Sequence, residues 1–371
     1  MSHYADIDHP ARLEVAFGWT RIGPGDTIYL RAGTYTGDYI FILNGTAELP
    51  ITVKPYPGEH PIIDGSLNVT GNYVNFEDLE FRFSGWTARD NAPEGDLKGV
   101  DLRGIGNKMI GCIIHDTFNN GSWQPNKDGG FTDCLIYNCG CHRASSNADE
   151  GHAIYTQNEF ATQSHHNNIL WGQYNLGFHG YTEGGLLNNF DIRNNICFRN
   201  GGREFLLGGA GGQRARNCTV DGNVMLEGDG FLKGTDILLT NNYSPNGFTI
   251  DAASNNVAQS GNVFTAPGSG TNIFIFPRTK AGWAHIAIFN WDSLNSVNVD
   301  LSTVTGLNSG DSYKLHNAQD YFSDIATGTV PGNKIISVDM RAVSHSVAAR
   351  TGSTAVAATF PTFGAFVLEK V

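Results

Sequence analysis

The 371-residue sequence predicts an all-β chain: a right-handed, single-stranded parallel β-helix with an N-terminal capping helix and a C-terminal antiparallel β-sandwich domain. Three observations lead there. The first is composition, with 46 glycines, frequent Asn-Asn and Asn-Gly pairs, and only 16% charged residues. That mixture suits many short strands joined by tight turns, because Gly and Asn supply the positive-φ positions that turns need. The second is a recurring motif, "GCIIHD", "DCLIYN", "NNILWG", "NNICFR", "GNVMLE", "NNYSPN" and "GNVFTA". Its second position aligns Cys112, Cys134, Asn168, Asn195, Asn223, Asn242 and Asn262, spaced 19 to 34 residues apart. Stacked asparagines can close a backbone bend and hydrogen-bond along the stack. The third is a second strand between members of that column: "GVDLRG", "HAIYTQ", "GFHGYT", "EFLLGG" and "GFLKGT", with Val100, Ile154, Phe178, Phe205 and Phe231 directed inward. Coils that bury little alone complete a core by stacking. A (β/α)8 barrel would need long helices, and a propeller would need four strands per repeat.

The elements follow in order. "DHPARLEVAFGW" offers Asp8 as an N-cap and Leu13, Ala16 and Phe17 on one helical face, so residues 1–20 form a plug for the open end of the stack. Short strands such as "GDTIYLRAGTY", "ITVKPY", "PIIDGS" and "YVNFEDLEF" begin the coils, which run over residues 21–266. The linker "TAPGSGT" ends the pattern, and alternating strands over 272–371 suggest a sandwich that caps the C-terminal end of the stack, with glycan binding as the alternative role. The six cysteines include "CGCH" at 139–142, which reads as buried free thiols, because a structural zinc site needs four ligands at recurring spacings.

A formal net charge of −12 argues against a nucleic-acid partner. It suits a neutral glycan, or an anionic one bridged by a cation such as Ca²⁺. No apolar run is long enough to cross a bilayer, and "MSHYADIDHPARLEVAF" lacks the regions of a signal peptide. The expected setting is nevertheless extracellular or virion-associated, with any leader already removed or another export route used. The oligomeric state is not legible.

"PGDTIYLRAGTY", "GTAELPITVKPYPG" and "PIIDG" resemble the opening coils of carbohydrate-active right-handed β-helix proteins, the alginate- and chondroitin-lyase-like polysaccharide lyases among them. "GHAIYTQN" and "GFHGY" are similar to coils of unassigned parallel β-helix repeat proteins. The resemblance covers roughly residues 20–265 and implies the fold and a polysaccharide partner. It carries over no catalytic residue. The lysine–arginine arrangement of those lyases, the paired aspartates and Gly-His-Gly of polygalacturonase-like hydrolases, and the Asp-Pro-His-Glu of alginate epimerases have no match here.

Candidate site residues come from alternation along the second strand. With Ile154 and Phe178 inward, Tyr155, Gln157, His179 and Tyr181 point out, and Asp101 and Arg103 share their columns. Glu159 and Glu183 then fall in one column on neighbouring coils, about 4.8 Å apart. Two carboxylates about 5–5.5 Å apart suit a retaining glycosidase, imidazole can move a proton near neutral pH, and tyrosine rings can stack on sugar faces. The plainer readings are glutamates splayed into water, a His179 bonded to a neighbouring coil, and ordinary half-buried tyrosines. His152 falls on the inward side by alternation, while Asp149 and Glu150 sit in the preceding loop. Trp86 and Trp123, in the insertions 84–98 and 119–130, are expected to wall the groove as sugar platforms. Glu204 and Lys233 complete the substrate-binding set.

The expected function is a polysaccharide-binding and polysaccharide-cleaving protein. Hydrolysis by a carboxylate pair drawn from Glu159, Glu183, Asp101 and Glu204 comes first. The alternative is a lyase acting on a uronate-containing glycan, with Tyr181 or His179 as base and Arg103 or Ca²⁺ neutralising the carboxylate. A non-catalytic glycan-binding adhesin or virion fibre is the third.

Overall fold

The computed structural model describes residues 11–92, 99–125 and 128–371. The chain is almost entirely β, with a stack of parallel coils followed by an antiparallel region. Each full coil carries three strands, one more than the two columns read from the sequence. The first face holds ten strands from Thr27–Leu30 to Asn255–Ser260 among the described residues. The second face comprises Glu80–Arg82, Ile113–His115, Leu135–Tyr137, Ile169–Trp171, Ile196–Phe198 and Val224–Met225. The third comprises Val100–Leu102, Ser122–Gln124, Ile154–Thr156, Phe178–Thr182, Phe205–Gly209, Gly230–Leu232 and Phe248–Ile250. The long strand Pro61–Val69 bridges the second and third faces, pairing Glu80–Arg82 with its first half and Val100–Leu102 with its second.

The recurring motif is the bend from the first face to the second. Its opening residue is left-handed in every copy: Gly111, Asp133, Asn167, Asn194, Gly222, Asn241 and Gly261 have φ between 53° and 67°. Only Gly, Asn and Asp enter that region at low cost, which explains the composition of this position. The residue after it is the ladder. Asn168, Asn195, Asn223 and Asn242 each pass their backbone N–H to the amide oxygen one coil on, at 3.0 Å. Their Nδ2 groups reach the same oxygens at 2.8–3.0 Å. Cys134 joins the ladder through its own N–H to Asn168 Oδ1, while Cys112 and Cys134 donate their thiols to the Phe76 and Met109 carbonyls. All six cysteines are buried free thiols.

The interior is a continuous apolar column with Val100, Ile154, Phe178 and Phe205 on the third face. Phe231 departs from expectation, because Phe205 pairs with Gly230, so Leu232 turns inward and Phe231 outward. The cause lies one coil on, where the Phe248 ring occupies the space that a side chain at position 230 would need. At the start of the stack, Leu13–Ala16 forms a single helical turn, with Arg12 in the N-cap position and no side-chain cap. Leu13, Ala16 and Phe17 are buried as expected, with Phe17 edge-on to Phe41 at 5.0 Å. Asp8 lies outside the described residues.

The C-terminal region is a sandwich of a five-stranded sheet, ordered Thr271–Pro277, Ala284–Asn290, Phe363–Lys370, Ser312–Asn317 and Ile325–Thr329, over the pair Ser296–Asp300 and Ile335–Asp339. It does not cap the end of the stack. Instead it lies against the second face, where Tyr137, Trp171 and Phe198 pack with Phe276, Phe289 and Phe363. This contact accounts for the strand Ala284–Asn290, buried along its whole length, since one side faces the sandwich core and the other the stack.

Candidate active site

The sandwich leaves the third face open, as it does the first, and the outward side chains of the third face form two columns. Strand register places Asp101, Trp123, Tyr155, His179, Leu206 and Phe231 in the first. Tyr181 pairs with Gly208 in the second, with Gln157 one coil below donating its amide to the Tyr181 carbonyl at 3.1 Å. Trp123 therefore belongs to a regular rung and not to an irregular wall. That rung escaped the sequence analysis because its inward positions are the polar Ser122 and Gln124, where its neighbour has Ile154 and Thr156.

Four rings run up this face in contact. Trp123 and Tyr155 have centroids 4.4 Å apart, Tyr155 and His179 4.7 Å at 18°, and His179 and Tyr181 5.0 Å at 23°. Because Tyr155 is covered by Trp123 on one side and His179 on the other, its ring face is not offered to a sugar. Ring edges and polar tips point outward instead. His152 joins them, 4.2 Å from His179 and 5.3 Å from Tyr155, with its Nδ1 accepting from the Leu176 N–H at 3.2 Å. Alternation had put it inside. Ala153 and Ile154 are consecutive core residues and the strand begins only at Ile154, so its alternation does not extend back to His152.

Burial governs the electrostatics. It lowers His179 to about 4, and lowers His152 well below the ordinary value with help from the neighbouring His179. Both imidazoles are therefore neutral at pH 7. His179 Nδ1 is buried without a hydrogen-bond partner among the described residues. Tyr155 is raised by burial first, then by Tyr181 and Glu183.

Several candidates fall elsewhere. Glu159 and Glu183 do not form a ladder pair: after Thr156 the register slips, Asn158 bridges Leu187, and Glu159 offers its carbonyl to Asn188. The intervening residues 183–186 form a bulge tied back by Thr182 Oγ1, which accepts from Gly184 and Gly185. Glu204 is 1% exposed and bonded to the Asn200 amide at 2.5 Å, with its proton held by burial and by Glu227, so it braces a turn out of a substrate's reach. Trp86 stacks on Phe118 at 4.4 Å and donates to the Asp116 carbonyl, which makes it part of a small satellite core. Asp101 is buried and holds Arg103 at 2.7 Å, leaving that guanidinium half-exposed at the lower end of the columns. Lys233 caps the Gly209 and Gly211 carbonyls. Asp149 and Glu150 pair with His142 and Arg143 in a side hairpin. Among the described residues no three His, Cys, Asp or Glu side chains converge in a way that could hold a metal ion.

No protein-family profile and no curated protein sequence matches the chain. Solved structures do. A pectate lyase, Pel9A, is 16% identical with a TM-score of 0.50, over 69% of this chain and 74% of that one. A mannuronic acid specific polysaccharide family 6 lyase from human gut microbiota is 15% identical with a TM-score of 0.47, over 67% and 61%. An alginate lyase from Paenibacillus sp. str. FPU-7 is 20% identical with a TM-score of 0.41, over 68% and 96%. The chain shares the parallel β-helix fold of such proteins. Fold alone does not assign chemistry.

Proposed function

We propose that the protein is a polysaccharide lyase that takes a uronate-containing glycan along the third face. The observation that carries this reading is the neutral His179 between Tyr155 and Tyr181, on a face that the sandwich does not cover. In β-elimination a base removes the proton α to the uronate carboxylate, the C4–O4 bond breaks, and the leaving oxygen takes a proton. A neutral imidazole has the lone pair to accept the first proton, although the burial that holds it at about 4 also weakens it as a base, and a tyrosine hydroxyl can supply the second. With centroids 5.0 Å apart, His179 and Tyr181 can serve one sugar unit. Arg103 lies three rungs below Tyr181, roughly 14 Å along the stack at the usual strand spacing. It would hold the carboxylate of a neighbouring unit and not that of the reacting one. Gln157, Trp123 and His152 supply polar tips and ring edges between them. The name pectate lyase, borne by a protein of the same fold, agrees with a uronate substrate. Hydrolysis, the first expectation from sequence, is withdrawn, because the register slip after Thr156 takes Glu159 and Glu183 off a shared rung.

A panel of uronate and neutral polysaccharides, read by ultraviolet absorbance of an unsaturated product and by new reducing ends, tests this. Both signals should appear on a uronate polymer. Tyr181→Phe keeps the ring stack and should lower turnover by about 10²-fold with unchanged melting. His179→Ala should do the same at a stability cost of about 1 kcal/mol, the scale of a lost ring contact. Reducing ends without unsaturated product, or parental rates in both variants, would refute the reading.

A further inference from the structure

Two cavities of about 620 and 670 Å³ lie away from the third face, where the sandwich meets the stack. They share a wall made by Asp78, Gly111, Arg278 and Lys280. Arg278 is the anomaly. Its side chain is 5% exposed, yet its Nε has no partner among the described residues, and Asp78 approaches its Nη2 only to 4.0 Å, beyond hydrogen-bond reach. A guanidinium carries five donors, and burying its charge without a bonded acceptor is costly. The sequence nevertheless holds it in place. Trp283 packs against it at 5.0 Å and holds Lys280 at 4.3 Å, while Thr279 anchors the loop by bonding Asp133 through its N–H and hydroxyl at 2.8 and 2.5 Å. Beside it His285 donates Nδ1–H to the Asn167 carbonyl, and its Nε2 is buried without a partner among the described residues. Burial and the adjacent Arg278 keep that imidazole neutral.

The Arg278 guanidinium has no hydrogen-bonded acceptor among the described residues, and half-exposed Lys280 has only Asp78, at 3.4 Å, so the two cations suit a ligand whose anionic group competes with that one carboxylate. We propose that this junction is a second, non-catalytic carbohydrate site, which takes the carboxylate of an acidic saccharide on Arg278 and Lys280. Each cavity is of the size that holds a small ligand. Hydroxyls of the same ligand meet Thr132 and Ser164 in one cavity and Lys54 in the other. Binding here gives the protein a hold on its polymer that does not depend on the third face, and the inference does not rest on the lyase reading.

Calorimetric titration of a uronate tetrasaccharide into the Tyr181→Phe protein tests it, with the tetrasaccharide methyl ester and inorganic sulfate as comparisons. Lys280→Gln, half-exposed and outside the core, should weaken one class of sites by about tenfold or more, the scale of a charged hydrogen bond. Arg278→Gln should abolish that class, and Trp123→Ala should leave it intact. The ester should bind more weakly than the acid. Parental binding by Lys280→Gln, equal affinity for acid and ester, or sulfate binding as tightly as the saccharide would each overturn the proposal. Parental cleavage by both Tyr181→Phe and His179→Ala together with weakened binding by Lys280→Gln would sink the lyase reading and leave this one standing.

Discussion

Replacing Asn195 by Ala tests how the coils that carry His179 and Tyr181 are held in register. Asn195 is 2% exposed and makes four side-chain hydrogen bonds. Its Oδ1 accepts from the Asn168 N–H at 3.0 Å and from Asn168 Nδ2 at 2.8 Å. Its Nδ2 donates to the His165 carbonyl at 2.9 Å and to Asn223 Oδ1 at 2.8 Å. Truncation leaves the Asn168 N–H buried without an acceptor, at about 1–3 kcal/mol. The other three partners are less exposed to loss. Asn168 Nδ2 keeps the Phe131 carbonyl, Asn223 Oδ1 keeps the Asn195 N–H, and the His165 carbonyl sits in a paired strand. At roughly 0.5 kcal/mol each they bring the expected loss to about 2.5–4.5 kcal/mol. Equilibrium urea unfolding, followed by circular dichroism and tryptophan fluorescence, measures it, and coincident transitions justify the two-state treatment. A loss below about 1 kcal/mol would mean that strand pairing alone sets the register and that the ladder is decoration.

Acid should weaken the stack through His165, which lies among Phe131, Phe178 and Phe190 and is lowered to about 3 by burial. The unfolded chain takes up this proton near pH 6.5 and the folded one refuses it until about 3, so stability should fall as pH drops through that window. His165→Phe should flatten part of the slope of melting temperature against pH, and a slope identical to the parent's would refute the assignment. All six thiols are buried and unpaired, so they should titrate only after unfolding and in equal number with or without prior reductant. A lower count without reductant would reveal a disulfide and overturn the stacking of Cys112 on Cys134.

The sequence determined what is local. The bend needs a left-handed residue followed by a ladder residue, and both requirements act on adjacent positions, so the motif from "GCIIHD" to "GNVFTA" was legible without coordinates. Strand alternation is equally local, and it placed Tyr155, His179 and Tyr181 outward and Ile154 and Phe178 inward. One further signal was present but unused. The second-face strands read apolar at every position in "LIY", "ILW" and "ICF", which is the mark of a strand covered on both sides. It foretold that another layer would lie there. The tertiary structure alone decided whatever depends on how many residues lie between coils. Glu159 and Glu183 share a spacing but not a rung, because a bulge absorbs four residues after Thr182. Trp123 proved to be a rung of three residues inside what looked like an insertion. Phe231 turned outward because a ring from the next coil fills the core at Gly230. Arg278 lies 200 residues from Asp78 in the chain and was invisible as a candidate. Its buried, unbonded guanidinium exists only where the sandwich docks on the stack. Contacts between distant segments are fixed by the summed packing of many elements, and no local spacing encodes that sum.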